Sequence, residues 1–444
     1  MSASVKQLDT RTIRVNALAR VEGEGALHLE LRDGQVTAAR LEIYEPPRFY
    51  EAFLRGRDFR EVPDLTARIC GICPVAYQMS SCHALEKAVG VTSQVDPGIR
   101  ALRDLLYCGE WIESHVLHMF LLHLPDFLGY ESAISMAADH GPVVQKALAL
   151  KKLGNEILAA LGGRAVHPVN VCVGGFYSLP DAQRLAGMVP EIRKRLDEMC
   201  ELTLFLAEKV EYPAMECDYE FVAMQPDDEY PMNRGPIASS KGFKVPQEEL
   251  LDVIEERHVP HSNALHAVVK ERGNYHVGPL ARLNLNAERL HPRAAQLLPK
   301  LCAAVGQPLP WRNSFLSLLA RGLETVHALA LALDILRNYV PPARSRVPVI
   351  PRTSVGAAAT EAPRGTLWHR YEMDAAGLIT AARIIPPTSQ NQARIEEDLM
   401  QLASASLHMS DEELCHRCEH LIRNYDPCIS CSAHFLKLHV DRKG

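Results

Sequence analysis

The chain has 444 residues, a formal net charge of −6 and a hydrophobic content of 47%. A slightly acidic chain with scattered basic residues gives no electrostatic reason to expect nucleic-acid binding. Twelve cysteines are too dilute in a chain of this length for a disulfide scaffold, and no uninterrupted apolar run reaches membrane-spanning length. The composition therefore predicts a soluble chain without a membrane span.

Three N-terminal segments alternate apolar and polar side chains, which is typical of strands: residues 11–17, 25–32 and 35–44. Asp33-Gly34, between the second and third segments, is a strong hairpin signal. An antiparallel N-terminal sheet is therefore predicted. Glu22 lies between the first two strands, next to Gly23, where the backbone can approach another part of the fold closely.

Most of the remaining chain has the apolar periodicity of helices. Helices are predicted for residues 63–90, 97–125, 142–161, 180–209, 246–257, 313–339, 391–404 and 411–424. The segment 313–339 is apolar on nearly every face, as in a helix buried all round in a bundle. A further strand pair is predicted at 366–373 and 378–385. Residues 212–245 and 258–308, rich in Pro, Asn, His and Gly, are predicted to be long excursions over the bundle.

Two Cys-x-x-Cys pairs lie near opposite ends of the chain, Cys70 with Cys73 and Cys428 with Cys431. Thiolates are soft ligands that select zinc, copper(I), nickel or iron–sulfur clusters, and two pairs can complete a tetrahedron. A structural zinc or an iron–sulfur cluster is the more common use of such pairs. Structural zinc, however, staples domains that are too small for their own core, and this chain is far larger.

A third pair, Cys415 and Cys418, could form a compact zinc site together with Cys428 and Cys431. The segment 411–424 is nevertheless amphipathic, with Cys418 on the apolar face and Cys415 at its margin. Ser410 with Glu413 fits a capping box at its start. The amphipathic pattern favours core and surface thiols over metal ligands.

The two outer cysteine pairs resemble those of the large, catalytic subunit of nickel–iron hydrogenases. Three further blocks match in the same order: Arg20-Val21-Glu22-Gly23, Phe49-Tyr50-Glu51 and Glu361-Ala362-Pro363-Arg364-Gly365. The resemblance covers about residue 12 to His434, and the sequence after the first pair is similar to the cytoplasmic, NAD(P)-coupled or sulfhydrogenase-type branch.

The resemblance implies the nickel–iron hydrogenase large-subunit fold, an α+β, mainly α architecture in which small antiparallel sheets accompany a long-helix bundle. It implies one domain over residues 1–444. Its parts are an N-terminal sheet (11–45), the first cysteine pair (63–90), a helical bundle (97–340), the C-terminal hairpin, helices and second cysteine pair (350–434), and a cleavable tail (435–444).

The same resemblance implies that Cys70 and Cys428 are terminal nickel ligands, and that Cys73 and Cys431 bridge nickel to an iron carrying carbon monoxide and cyanide. Arg364, after Pro363, is expected to point at the metal centre and its cyanide, because a permanently charged, rigid donor suits an anionic ligand. Without the other motifs, an arginine before a glycine would be only a surface charge.

Glu22 matches the proton-relay glutamate of the family, which receives the proton that the Cys428 thiolate accepts from H2. Without the other motifs, Glu22 would be a solvated carboxylate between strands. Glu51, His434 and the backbone carbonyl of Ile384 resemble the ligands of a structural Mg²⁺ or another divalent ion. Tyr77 stands where many relatives have histidine, so a phenol is expected to replace an imidazole hydrogen bond beside the bridging sulfur.

The implied function is reversible heterolytic cleavage of H2, with electrons passing to an iron–sulfur small subunit. From there they would pass through diaphorase-type flavin and iron–sulfur subunits to NAD(P) in the cytoplasm. A deazaflavin- or ferredoxin-linked hydrogenase stays open as an alternative. A catalytically silent subunit like that of respiratory complex I and a zinc-stabilised scaffold are less favoured. Partner subunits are required because the chain has no glycine-rich dinucleotide loop and no further cysteine series for clusters.

Overall fold

The computed structural model describes residues 10–44 and 49–433, in which long helices form a bundle flanked by small antiparallel sheets. The helices are α1 (Tyr50–Phe53), α2 (Val62–Ala67), α3 (Pro74–Val89), α4 (Pro97–Val116), α5 (Leu124–Leu128), α6 (Ala133–Gly162), α7 (Ala182–Gly187), α8 (Val189–Lys209), α9 (Leu250–Val253), α10 (Pro279–Asn286), α11 (Pro292–Ala295), α12 (Leu298–Val305), α13 (Ser317–Asn338), α14 (Pro387–Ala405), α15 (Asp411–Asn424) and α16 (Ile429–Ser432). The predicted fold class, mainly helical with small sheets, is confirmed.

The strands pair with near neighbours in the chain. They are β1 (Thr10–Val15), β2 (Gly25–Arg32), β3 (Gln35–Ile43), β4 (Val171–Cys172), β5 (Gly175–Phe176), β6 (Val222–Met224), β7 (Ile237–Ser239), β8 (Lys244–Val245), β9 (Ile254–Arg257), β10 (His266–Val269), β11 (Ser354–Ala362), β12 (Gly365–Met373) and β13 (Ile379–Ile385). The sheets have the orders β1-β2-β3, β4-β5, β6-β7-β8, β10-β9 and β11-β12-β13, and every pairing is antiparallel.

The N-terminal hairpin has the turn that its sequence predicts. Asp33 and Gly34 have φ values of 51° and 74°, and Arg32 pairs with Gln35 across the two-residue loop. Both central residues of such a hairpin turn need a positive φ, which Asp tolerates and Gly adopts freely. The antiparallel sheet predicted for this region is therefore confirmed.

Helix α13 lies at the centre of the bundle between α4 and α8. In the described part of the chain, the segment Ser314–Asn338 is long and apolar enough to cross a membrane, but 94% of its most apolar stretch is buried inside the protein. Apolar side chains on nearly every face bury against neighbouring helices instead of lipid. The prediction that this segment is a core helix is confirmed.

Helices α4 and α6 approach each other closely through glycines. A Cβ atom built on Gly154 would lie 2.8 Å from the Glu113 Cβ and 2.8 Å from the Gly109 carbonyl oxygen. Only residues without a side chain allow this separation. The close contact holds α4 firmly, and α4 carries a carboxylate that orients the first cysteine pair.

The predicted end of the long helix at Pro125 is wrong. After α4 the chain continues through a π-helical segment, Leu117–His123, directly into α5. Pro125 occupies the first turn of α5, where a backbone N–H has no intrahelical partner, so proline is tolerated there. The helix ends instead at Gly129, whose φ is 76°.

Three other predictions need correction. The helix predicted at 246–257 stops early because residues 254–257 form β9, which pairs with β10. The predicted excursions at 212–245 and 258–308 instead contain the sheet β6-β7-β8, strand β10 and helices α10 to α12. Strand β11 was not predicted, because its alanine-rich sequence lacks the usual strand signal.

Small residues in β11 allow it to lie directly on α3, the helix that follows Cys73. A Cβ atom added to Gly356 would stand 2.1 Å from the Ala84 carbonyl oxygen and 2.7 Å from the Ala88 nitrogen. These are backbone atoms of α3, so the helix and the strand would have to separate to accept a methyl group.

We therefore expect Gly356→Ala to lower the free energy of unfolding by about 1–3 kcal/mol, the usual cost of overpacking a core. Gly187→Ala is the matched control, because a Cβ there meets no atom within 4 Å, and its unfolding free energy should be unchanged or higher by up to about 1 kcal/mol. Thermal unfolding of the two variants checks this. Equal stability of both variants would mean that β11 and α3 are not in tight contact.

Candidate metal centre

The structure brings four cysteines from the two ends of the chain into one buried cluster. The sulfur atoms of Cys70, Cys73, Cys428 and Cys431 all lie within 4.8 Å of one another. The Cys70 and Cys428 sulfurs are 3.4 Å apart, and those of Cys73 and Cys431 are 4.0 Å apart. Each residue is at most 2% exposed. This is the separation that a shared metal centre with thiolate ligands needs.

The first pair is fixed by the beginning of α3. Cys73 precedes this helix, and the Glu110 carboxylate on α4 accepts hydrogen bonds from the Val75 and Ala76 amides at 2.6 and 3.1 Å. The amides of Ile72 and Cys73 donate to the Cys70 sulfur at 3.3 and 3.2 Å. Amide donors around a sulfur favour its thiolate form.

The second pair is fixed by contacts with distant segments. The Cys428 amide donates to the Thr388 hydroxyl oxygen on α14 at 3.0 Å, and the Ile429 amide donates to the Glu22 carbonyl oxygen at 2.9 Å. Asp426, before the pair, adopts a φ of 53°. The N-terminal segment and α14 together therefore determine where Cys428 points.

The protein environment stabilises negative charge on the cluster only in part. Burial disfavours the Cys70 thiolate, but hydrogen bonds with the other three cysteines and the positive charge of Arg364 outweigh burial, so the pKa of Cys70 falls well below its usual range. Burial and the neighbouring sulfurs raise the pKa of Cys428 well above its usual range. A divalent cation bound at the cluster would stabilise the thiolate form of its sulfur ligands.

Arg364 lies beside the cysteines with one donor unused. Its Nε donates to the Asp426 carbonyl oxygen at 2.6 Å, and its Nη2 donates to the Asp426 carboxylate at 3.0 Å. Its Nη1 is buried and has no hydrogen-bond partner among the described residues. A buried guanidinium nitrogen without a partner is costly. An anionic diatomic ligand on a metal in this cluster would satisfy it, so the residues present fit such a centre.

Glu22 reaches the cluster from the N-terminal segment. The Cys428 sulfur lies 3.1 Å from Glu22 Oε2, and the Ser430 amide donates to the same oxygen at 3.1 Å. Glu22 itself is half-buried, whereas Cys428 is fully buried. The Glu22 carboxylate therefore lies between the buried Cys428 sulfur and the more exposed part of the structure.

The structure describes two of the three residues that were predicted to bind a second metal. Glu51 is buried beside β13, where its Oε1 accepts a hydrogen bond from the Ile384 amide at 2.7 Å. Burial raises the pKa of Glu51 to about 8, although the Ile384 amide and the charges of Arg383 and Arg55 oppose this rise. His434, the third predicted ligand, lies outside the described residues, and so does the predicted tail 435–444.

Tyr77 is buried near the cysteines but does not hydrogen-bond to them. Its hydroxyl has no partner among the described residues, and its ring centre lies 5.5 Å from that of His369. Burial, followed by the charges of the cysteines, raises the pKa of Tyr77 well above its usual range. The phenol therefore stays neutral beside the sulfurs, and the expected hydrogen bond to a bridging sulfur is not formed.

Cys415 and Cys418 do not join the cluster. Both lie on α15, Cys418 in the core and Cys415 at its margin, as the amphipathic pattern of this segment predicts. The predicted Ser410–Glu413 capping box at the start of α15 is present. Where the chain is described, the compact zinc site of these two residues with the second pair is not formed.

Three residues that orient the site were not predicted from the sequence: Glu110, Thr388 and Asp426. Each acts across a large sequence separation, on Val75, Cys428 and Arg364 respectively. Glu110 lies within a predicted helix and Thr388 lies just before another. At such positions the sequence does not distinguish a buried polar side chain from one exposed to solvent. A partial signal existed for Asp426, since it directly precedes the second cysteine motif.

Comparisons with known proteins place this chain in a family. A family model for nickel-dependent hydrogenase matches residues 48–145 and 271–434. The alpha chain of sulfhydrogenase 1 from Pyrococcus furiosus is 36% identical over 434 residues, which are 96% of this chain and 98% of that protein. One chain of an F420-non-reducing hydrogenase from Methanocaldococcus jannaschii is 30% identical over 88% of this chain and 98% of that protein.

Solved structures agree. An NAD⁺-reducing [NiFe]-hydrogenase in the H2-reduced state superposes with a TM-score of 0.85 at 27% identity, covering 96% of this chain and 99% of that one. The Ni-Fe-Se hydrogenase of Desulfovibrio vulgaris Hildenborough has the same fold, with a TM-score of 0.76 at 23% identity, covering 96% of this chain and 100% of that one.

A helical bundle that buries four cysteines from both ends of the chain has the arrangement expected of a metalloenzyme with thiolate ligands. The chain belongs to the nickel-dependent hydrogenase family, as the catalytic large subunit of an oxidoreductase that acts on H2. The family and fold predicted from the motifs are confirmed, and the catalytically silent alternative is not supported.

We expect Cys70→Ser, Cys73→Ser, Cys428→Ser and Cys431→Ser each to lose nickel, because a hard hydroxyl cannot replace a soft thiolate ligand. Cys415→Ser is the matched control and should keep the nickel of the wild type. Nickel per purified complex, measured by mass spectrometry, checks this. Full nickel in any of the four variants, or its loss in Cys415→Ser, would contradict the proposed ligand set.

Proposed function

We propose that Cys70, Cys73, Cys428 and Cys431 hold a nickel–iron centre, with Cys70 and Cys428 terminal on nickel and Cys73 and Cys431 shared with iron. The observation that carries this proposal is the buried cluster of four sulfurs within 4.8 Å of one another, beside an Arg364 nitrogen that has no hydrogen-bond partner in the described part of the chain. When bound, the centre, with carbon monoxide and cyanide on iron, supplies heterolytic cleavage of H2 and takes up the two electrons.

Arg364 serves to hold the cyanide side of this centre. Its contacts with Asp426 use Nε and Nη2, which leaves the buried Nη1 to donate to an anionic ligand. Pro363, immediately before it, restricts the backbone that presents the guanidinium. A fixed donor aimed at negative charge stabilises that charge without reorganisation.

The proton leaves through Cys428 and Glu22. The Cys428 sulfur accepts the proton from H2, and the Glu22 carboxylate 3.1 Å away receives it. The Ser430 amide holds the receiving oxygen in position at 3.1 Å. Because Glu22 is half-buried and Cys428 is fully buried, this transfer carries the proton outward.

A second metal, Mg²⁺ or another divalent ion, is proposed to bind Glu51, the Ile384 backbone carbonyl and His434. The support is the buried Glu51 carboxylate beside Ile384, whose pKa is raised to about 8 by burial. A hard cation would stabilise such a buried carboxylate. The role of this ion is structural, since it would join α1 and β13 to the C-terminal segment.

Electrons are proposed to pass first to an iron–sulfur small subunit, then through diaphorase-type flavin and iron–sulfur subunits to NAD(P) in the cytoplasm. The likeness to a structure of an NAD⁺-reducing [NiFe]-hydrogenase supports this acceptor. Deazaflavin and ferredoxin are the alternatives, and the relatives named as F420-non-reducing make the deazaflavin less favoured.

Under H2, the purified multi-subunit complex should reduce NAD⁺ or NADP⁺, because a flavin subunit converts single electrons into hydride transfer. Removing the flavin subunits should abolish this activity but leave the H2-dependent reduction of an artificial dye intact. Fluorescence of NAD(P)H and dye absorbance measure the two activities. Reduction of ferredoxin or deazaflavin without NAD(P)H formation would contradict the proposed acceptor.

Glu22→Gln should uncouple H2 cleavage from proton release, since an amide keeps the size of the side chain but does not carry the proton. Conversion of para- to ortho-hydrogen needs only cleavage and recombination, so it should persist. Hydrogen–deuterium exchange with water and turnover should fall by a factor of roughly 10²–10⁴.

Glu24→Gln is the matched control, because Glu24 is exposed and two residues away. It should retain both para–ortho conversion and exchange with water. Normal hydrogen–deuterium exchange with water in Glu22→Gln would mean that the proton leaves by another route. Loss of para–ortho conversion together with nickel would instead give Glu22 a role in assembling the centre.

A further inference from the structure

We propose that His261, His266 and Glu396 form a second transition-metal site, which takes a divalent ion of the Zn²⁺ class. One ligand atom from each residue lies within 4.8 Å of those of the other two. The three residues come from the loop between β9 and β10, the first position of β10, and α14. They include none of the residues proposed above for nickel, iron or Mg²⁺.

The donor geometry is close to that of a metal site. His261 Nε2 lies 2.8 Å from Glu396 Oε1, and ligand atoms around a tetrahedral zinc are separated by about 3.3 Å. A small side-chain adjustment would therefore admit an ion between them. Two imidazoles and one carboxylate, completed by water, are the donor set of open zinc sites and related transition-metal sites.

His266 gives an independent reason to expect a ligand. The residue is only 5% exposed, and its Nε2 is buried without a hydrogen-bond partner among the described residues. Burial, with a contribution from His261, lowers the pKa of His266 to about 4, so the ring is neutral at physiological pH. A neutral, buried imidazole with an unused nitrogen is suited to bind a metal ion.

Glu396 supplies the negative charge. Burial raises the pKa of its carboxyl group, although the Leu41 amide, which donates at 3.0 Å, opposes this rise. A nearby cation, Arg40, is itself paired with Glu30 at 2.7 Å. The Glu396 carboxylate is thus desolvated and only partly compensated, and a bound cation would compensate it further.

A second histidine–carboxylate cluster shows why proximity alone is not sufficient. His123, Asp126 and His420 also have ligand atoms within 4.8 Å of one another. The Asp126 carboxylate, however, accepts hydrogen bonds from Arg423 Nε and Nη2 at 2.7 and 2.9 Å, and it also contacts Arg20. Two guanidinium groups already neutralise this carboxylate and repel a further cation, so no metal is assigned there.

The site would connect the N-terminal sheet to the region of the second cysteine pair. The Asn263 amide, in the loop with His261, donates to the Ile43 carbonyl oxygen at 2.7 Å. Ile43 and Ala264 belong to the same small core as Ile429 and Ala433, which flank Cys431. An ion at the site would fix this loop on β3 and α14.

The test is zinc binding to the nickel-loaded complex after chelator treatment, with Zn²⁺ alone as the probe and a chromophoric chelator as competitor. We compare the wild type with His261→Gln and Glu396→Gln, both of which change partly exposed side chains. His258→Gln and Glu397→Gln are the matched controls, since they change exposed residues of the same loop and the same helix.

The wild type and both controls should bind one Zn²⁺. His261→Gln and Glu396→Gln should bind it at least about 100-fold more weakly, because loss of a ligand should cost at least as much as loss of an outer-shell partner, which costs about 10–100-fold. Nickel content should be equal in all five proteins, which shows that the variants fold. The proposal is overturned if the wild type binds no such ion, or if the variants bind it as tightly as the wild type. If a variant fails to fold, the absence of Zn²⁺ binding by the wild type is by itself sufficient to overturn the proposal.

Discussion

The proposed centre depends on one constraint, which is that four thiol groups from opposite ends of the chain lie together in a buried pocket. Burial opposes ionisation of these groups, and the protein offsets it for Cys70 with hydrogen bonds and the charge of Arg364. The pKa of Cys428 is still raised. Because burial opposes the thiolate form, metal ions bound at the proposed site would link assembly of the centre to closure of the C-terminal segment.

The surrounding structure serves as a rigid mount for this pocket. Helix α3, which begins directly after Cys73, lies between α4 and β11. The close contact of its backbone with Gly356 of β11 leaves the helix little freedom to move. The second pair has no long element of its own, since α16 spans only Ile429–Ser432. Its position depends on contacts with Glu22 and Thr388, which explains why residues from the two ends of the chain are needed together.

The sequence predicted the elements with strong local signals and missed those that depend on tertiary partners. The hairpin at Asp33-Gly34, the buried helix α13 and the capping box at Ser410 each have a local physical cause. Strand β9 follows a helical turn directly, and it exists because β10 returns beside it. The four cysteines could be grouped from their motifs, whereas Glu110, Thr388 and the His261–His266–Glu396 triad depend on contacts that no spacing reveals.

We propose that one nickel ion binds sulfur atoms from both ends of the chain. X-ray absorption at the nickel edge of the purified complex tests it most directly, because it counts the atoms bound to the metal. If the four cysteines bind nickel, its nearest shell contains four sulfur atoms at about 2.3 Å, the usual distance for a metal–thiolate bond. A shell dominated by nitrogen and oxygen, or zinc in place of nickel, would contradict it.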